Sequence, residues 1–160
     1  MPGPVRALLA CLLLVAAADT ASADVTAFLG TTTTPSTRQA RGVAVGFGLL
    51  FLGFEFEYGN TVEDLQDGAP GLKTGMGNVL LQTPVPIAGI TPYFTTGAGM
   101  YQERLSEASE TSYGFNTGGG AKIRLAGPLR VRFDYRVFTL TGSPRYDTVH
   151  RLYVGANIAF

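Results

Sequence analysis

Apolar and polar side chains alternate along most of this chain, most clearly over its last stretch, His150 to Phe160. Leu152, Val154, Ala156, Ile158 and Phe160 share one parity, and Arg151, Tyr153, Gly155 and Asn157 share the other. Successive side chains of a strand point to opposite faces, so this period of two predicts a β-strand with one apolar and one mixed face. Seven further alternating segments precede it: Val25–Thr31, Arg41–Leu50, Leu52–Asn60, Leu72–Gln82, Thr91–Glu103, Ser112–Leu125 and Leu129–Leu140. Polar loops are expected at Thr32–Gln39, around Glu63 to Pro70, at Arg104–Glu110 and at Thr141–Thr148. Tight turns are expected near Phe51, over Pro84–Gly89 and at Ala126-Gly127-Pro128. Long and short connections thus alternate, and segments of about 9–11 residues match a tilted membrane crossing. Nothing predicts a helix.

The faces are strongly unequal. Phe54, Phe56 and Tyr58 oppose Glu55 and Glu57; Val131, Phe133, Tyr135 and Val137 oppose Arg130, Arg132, Asp134 and Arg136. Phe115, Ala121, Ile123 and Leu125 oppose Asn116, Gly118, Gly120, Lys122 and Arg124. A water-soluble barrel of lipocalin type, binding an apolar ligand inside, is one arrangement that buries such an apolar face. Three features favour the inverse, with lipid outside and charge within. The glycines share the charged face, where a narrow interior needs room. Tyr58, Tyr101, Tyr113 and Tyr153 fall near strand ends, as in interfacial girdles. The chain also ends on an apolar strand with no polar tail.

In that arrangement Glu55, Glu57, Lys122, Arg124, Arg130, Arg132, Asp134, Arg136 and Arg151 face a lumen that eight strands leave just wide enough for side chains to fill. They would form an ion-pair plug, and because bases outnumber acids in this set, Glu103 or trapped water is expected to help balance it. The facing of the first and fourth segments is left open by the pattern, with Val79 and Leu81 outward and Asn78 and Gln82 inward preferred for the fourth.

The N-terminus changes the picture of where the protein works. Arg6, the apolar run Ala7–Ala18 and the small residues Ala21-Ser22-Ala23 read as an export signal over residues 1–23, cleaved before Asp24, with the barrel domain over 24–160. The run is too short to span a bilayer as a helix. Leu8-Leu9-Ala10-Cys11 has lipoprotein-box residues but precedes most of the apolar run. The single cysteine, Cys11, leaves with the leader, so no disulfide is expected. The leader removes Arg6 and Asp19, one from each side of a balance of 12 basic and 12 acidic residues. Near-zero net charge argues against nucleic acid as a partner.

Chemistry is sparse. A hydroxyl nucleophile needs an adjacent base, and the only histidine, His150, opens the last strand, with Ser112 and Ser143 able to approach only through loop folding. Glu63, Asp64 and Asp67 share one loop and Glu103, Glu107 and Glu110 another; the expectation is solvated loops and no metal, no cofactor and no catalytic residue.

Tyr153-x-Gly155-x-x-Ile158-x-Phe160 and the phrase Thr91-Pro92-Tyr93-Phe94-Thr95-Thr96-Gly97-Ala98-Gly99 resemble the small eight-stranded outer-membrane β-barrels of Gram-negative bacteria, the OmpA/OmpX-like class. The resemblance implies an all-β, antiparallel, up-and-down transmembrane barrel in the bacterial outer membrane. It implies that Tyr153, Gly155, Ile158 and Phe160 act as a C-terminal signal for the barrel assembly machinery, and that outer-membrane lipids or lipopolysaccharide surround the wall. Members of the class differ in role. A non-enzymatic structural or adhesion role is the primary expectation here, with a small pore or a lipid-modifying enzyme as further readings. Lipid A deacylase barrels carry Ser two residues from His, and Leu152 stands there in this chain.

Overall fold

The computed structural model describes residues 21–160, and all its regular elements are strands. They are β1 (Ala21–Thr32), β2 (Arg38–Leu49), β3 (Leu52–Thr61), β4 (Gly71–Gln82), β5 (Ile90–Leu105), β6 (Ala108–Ala126), β7 (Leu129–Leu140) and β8 (Thr148–Ala159). Each pairs antiparallel with the next, and β1 pairs with β8, so the sheet closes into a barrel with no free lateral edge along its body. The closing seam runs from Asp24↔Ala159 to Thr32↔Arg151, and the Phe160 N–H donates to the Ala23 carbonyl at 2.8 Å. Closure matters because an open sheet edge in hydrocarbon would leave backbone groups without partners.

The expected export signal lies mostly outside the described residues, and its expected cleavage point falls inside β1.

The expected rhythm of long and short connections does not hold. Outer connections are 33–37, 62–70, 106–107 and 141–147; inner ones are 50–51, 83–89 and 127–128. The third outer loop, expected over Arg104–Glu110, is instead a continuing ladder, Glu103↔Glu110, Arg104↔Ser109 and Leu105↔Ala108, closed by a two-residue turn with Ser106 at φ 56°. Its polar composition reads as a loop, but alternation persists through it: Gln102 and Arg104 face out while Glu103 is buried. Hydrogen bonding between two extended arms holds the hairpin above the membrane-facing wall. Gly127, at φ 53°, makes the tight inner turn between β6 and β7, a backbone conformation that costs glycine nothing.

The wall is inverted relative to a soluble barrel. Phe54 is 45% exposed, Phe56 61% and Phe133 49%, whereas Arg132 and Arg136 are 0% exposed. That distribution excludes the apolar-filled soluble barrel, whose aromatic rings would have to lie inside. In lipid, apolar surface gains nothing by turning inward, so the backbone pairs within the wall and the charged side chains take the interior.

Candidate functional site

The lumen is the most densely organised part of the molecule. From β7, Arg132, Asp134 and Arg136 project inward at the strand's period of two; from β3, Glu55 and Glu57 do the same across the barrel. Arg132 Nη2 lies 3.2 Å from Glu55 Oε1 and 3.0 Å from Asp134 Oδ2. Arg136 reaches Glu55 Oε1 at 2.8 Å and Asp134 Oδ1 at 2.9 Å. Its Nη1 stands 3.1 Å from Glu57 Oε2, as an ion pair without hydrogen-bond geometry. Arg151 of β8 pairs with Glu57, and Tyr153 donates to the same carboxylate at 3.3 Å. Tyr93 of β5 donates to Asp134 and accepts from Arg132 Nε at 2.7 Å. Nearer the inner mouth, Lys122 of β6 pairs with Asp24 of β1.

These pairs bring together four acids and four bases: Asp24, Glu55, Glu57 and Asp134 against Lys122, Arg132, Arg136 and Arg151. This ion-pair network is therefore charge-neutral, which the set expected from sequence is not. Two corrections account for the difference. Arg124 and Arg130 share the inward parity but sit opposite each other at the inner rim, next to a register shift between Arg124 and Ala126. There Arg124 is exposed and Arg130 half-buried, and neither makes an ion pair with a described residue. Glu103 does not balance the network either; it lies at the outer end and accepts the Arg145 N–H at 2.9 Å. Burial pushes its carboxyl above the ordinary range, against that hydrogen bond. The missing acid is Asp24. Its signal was the outward parity of Val25, Ala27 and Leu29, which places Asp24, Thr26 and Phe28 inside.

Room for these groups comes from small residues. A Cβ on Gly59 would strike the Arg151 guanidinium, one on Gly120 would fall 2.6 Å from the Tyr93 hydroxyl, and one on Gly42 would strike the Phe28 ring. Phe28 in turn stacks on Tyr153 at 4.1 Å between centroids, and the Arg151 guanidinium lies 4.5 Å from the Phe138 centroid. Above the network Leu72, Met76, Tyr101, Phe138, Leu140 and Val149 form a buried apolar cluster that closes the outer half of the lumen. Neither this cluster nor its position follows from the alternation, because a lumen-facing apolar residue carries the same parity as a lumen-facing charge. Below, a cavity of about 20 Å³ is lined by Asp24, Glu55, Lys122 and Arg130. That is space for about one water.

The other expected groups are scattered. Tyr58 and Tyr113 face outward, but Tyr101 and Tyr153 do not belong to a girdle: both are buried, with Tyr101 donating to the Thr141 carbonyl at 2.6 Å. The interior supplies their hydroxyls with acceptors, which parity dictates and position near a strand end does not. On β4 Val79 and Leu81 are exposed, Asn78 is buried and Gln82 half-buried. On β8 Tyr153 and Gly155 face in, Ile158 out, and Phe160 follows, 75% exposed. His150 stands on the outer face with its Nδ1 2.7 Å from the Tyr135 hydroxyl. The loop carboxylates serve backbone N–H groups: Asp64 accepts from Gln66 at 3.0 Å, Glu63 from Ser106 at 3.2 Å, and Glu110 from Ser143 at 2.5 Å. Among the described residues no three His, Cys, Asp or Glu side chains gather as a metal site.

No family model and no curated relative matches the chain. Solved structures do. Neisserial surface protein A is 12% identical with a TM-score of 0.70, over 88% of this chain and 97% of that one. The N-terminal β-barrel domain of Pseudomonas aeruginosa OprF is 14% identical with a TM-score of 0.65, over 87% and 97%. The outer membrane enzyme PagL is 14% identical with a TM-score of 0.55, over 84% and 98%. Identities this low speak for the fold, and the fold is that of the small eight-stranded outer-membrane β-barrels, the OmpA/OmpX-like kind.

Proposed function

We propose that the protein is a non-enzymatic, non-conducting integral barrel of the bacterial outer membrane, whose work is structural and whose contacts are made by its outer connections. The observation that carries this is the pairing of an exposed apolar wall with a lumen closed by a neutral ion-pair network and an apolar cluster. A wall of this kind is stable only in lipid, and a lumen filled by buried ion pairs and capped by the apolar cluster offers ions no path. Loop 62–70, the β5–β6 hairpin and loop 141–147 are the parts free to meet partners. Export, delivery to the assembly machinery through the β8 end, and lipopolysaccharide as the surrounding lipid belong to the same reading.

The fold alone does not decide against catalysis, since PagL is an outer membrane enzyme. What supports the non-enzymatic reading is His150: its Nδ1 shares a hydrogen bond with the Tyr135 hydroxyl, and Leu152 rather than a hydroxyl residue stands two positions on.

Cell fractionation and gel mobility of boiled and unboiled samples test the membrane assignment. Recovery in the soluble periplasmic fraction without a heat-dependent shift would overturn it. Planar-bilayer recordings test closure, and a steady single-channel conductance would overturn that part. Deleting residues 63–68 tests the surface role, which fails if cell-surface binding is unaffected by that change and by loss of the hairpin tip.

A further inference from the structure

The outward-facing positions of the eight strands carry three formally charged side chains among the described residues: Arg41, Lys73 and Arg104. All three are basic, all are exposed, and all lie at the outer end of the neighbouring strands β2, β4 and β5. The strand acids, by contrast, all have inward parity.

Register relates their positions. Arg41 pairs with Asn60, Asn60 with Lys73, and Lys73 with Gln102, so these side chains lie on one rung, which climbs outward from β2 to β5 because barrel strands are tilted. The rung immediately below is Val43, Tyr58, Gly75, Met100 and Tyr113, part of the apolar and aromatic wall. Two residues of strand separate the rungs by about 6–7 Å. Arg41 and Lys73 stand two strands apart, about 10 Å. Arg104 lies one outward step above Gln102, beside a groove of about 470 Å³ whose lining includes Lys73, Gln102 and Ser109. Glu63 and Glu107 line it as well, Glu63 accepting the Ser106 N–H.

We infer that this sector binds the phosphate-bearing headgroup of an outer-leaflet lipid, with Arg41, Lys73 and Arg104 on the phosphates and the acyl chains against the wall beneath. The inference rests on the lipid-facing reading of that wall. Position favours a lipid over a soluble polyanion: the cations sit at the boundary of the apolar belt, where only a molecule with both an anionic head and an apolar tail satisfies both rungs. Guanidinium and ammonium groups at such a boundary gain from anionic headgroups. The outward strand positions of β1 and β6–β8 carry no formal charge apart from any on His150, so the contact is confined to one side of the barrel.

The test uses the full mature chain, folded in zwitterionic detergent, titrated with diphosphoryl lipid A, dephosphorylated lipid A, inorganic phosphate and a sulfated disaccharide. The variant is R41Q/K73Q/R104Q. The expected result is retention of diphosphoryl lipid A by the native chain and weakening of about 100-fold in the variant, roughly fivefold for each charge removed. Dephosphorylated lipid A should bind both chains alike and weakly. Equal affinity of both chains for diphosphoryl lipid A overturns the inference, as does binding of either soluble anion as tightly as the lipid. K73Q alone, expected to lose about fivefold, carries the test if the triple variant shows no heat-shifted band. A native chain that folds and shifts on heating but shows no phosphate preference sinks this inference while leaving the membrane reading intact.

Discussion

Replacing Glu55 with Gln isolates what the lumen network contributes. The carboxylate accepts from Arg132 Nη1 and Nη2 and from Arg136 Nη2, all buried. Gln keeps the shape and one acceptor, but its NH₂ would face guanidinium N–H groups, and four bases would meet three acids. Removing one member of a buried pair costs about 3–5 kcal/mol, because the remaining charge stays desolvated and uncompensated. With a urea dependence of about 2 kcal/mol per molar, that lowers the unfolding midpoint by about 2 M. The chain has no tryptophan, so the folded fraction in lipid vesicles is best followed by heat-shifted gel mobility or circular dichroism. E55Q/R132Q restores charge balance and should recover part of the loss, with a coupling of about 2 kcal/mol between the two sites. Raising NaCl to about 1 M should leave the difference between wild type and E55Q unchanged, since screening acts on exposed charges. A midpoint for E55Q within about 0.3 M of wild type would refute the reasoning, as would strict additivity of the two substitutions. Either result would mean that water, not the opposing side chains, neutralises these groups.

Further perturbations probe other parts of the barrel. Gly120→Ala would drive a Cβ into the Phe133 carbonyl and the Tyr93 hydroxyl, so a loss of about 1–3 kcal/mol is expected in the same urea titration. Gly75→Ala meets only the Phe56 ring edge at 3.9 Å and should change stability by no more than about 1 kcal/mol. Glu103, outside the membrane-facing rungs, has its carboxyl raised by burial. The folded state therefore holds that proton more tightly than the unfolded chain, and stability falls as pH rises from the ordinary carboxylate range through the raised folded value. In urea midpoints from pH 4 to 8, E103Q should gain on wild type as pH rises, and a constant difference would contradict this. Phe160→Ala keeps the backbone bond to Ala23 but removes the aromatic end, so slower assembly in cells with normal refolding in detergent is expected.

Much of the fold is legible because one rule, parity, governs every strand. The apolar faces of β3, β6 and β7 and the terminal strand declare which side meets lipid, and the closed eight-stranded order follows from consecutive hairpins. Parity says nothing about height along the barrel, and the errors share that cause. Arg124 and Arg130 have lumen parity but rim height, where neither makes an ion pair with a described residue. Tyr101 lies near a strand end and Tyr153 in mid-strand, but both have lumen parity, and the interior offers their hydroxyls acceptors. The β5–β6 hairpin reads as a loop in sequence because polar residues continue a strand once it leaves the apolar layer.

Height also explains why the lumen has two unlike halves. Glu55, Glu57 and the β7 charges lie on inward positions where β3, β7 and β8 approach one another across the barrel, so each charge has an opposite within reach. One level outward, β4, β5, β7 and β8 contribute Leu72, Met76, Tyr101, Phe138, Leu140 and Val149, which exclude water from above. That exclusion strengthens the pairs below, since attraction between charges rises as the local dielectric falls. It also removes the alternative of hydrating a charge that loses its partner. The apolar cluster and the ion-pair network are thus coupled: Phe138→Ala, by admitting water against the Arg151 guanidinium that now packs on its ring, should lower the cost of E57Q measured in the same background. If E57Q costs as much with Ala at position 138 as with Phe, the two halves are independent and the outer cluster is simply filling.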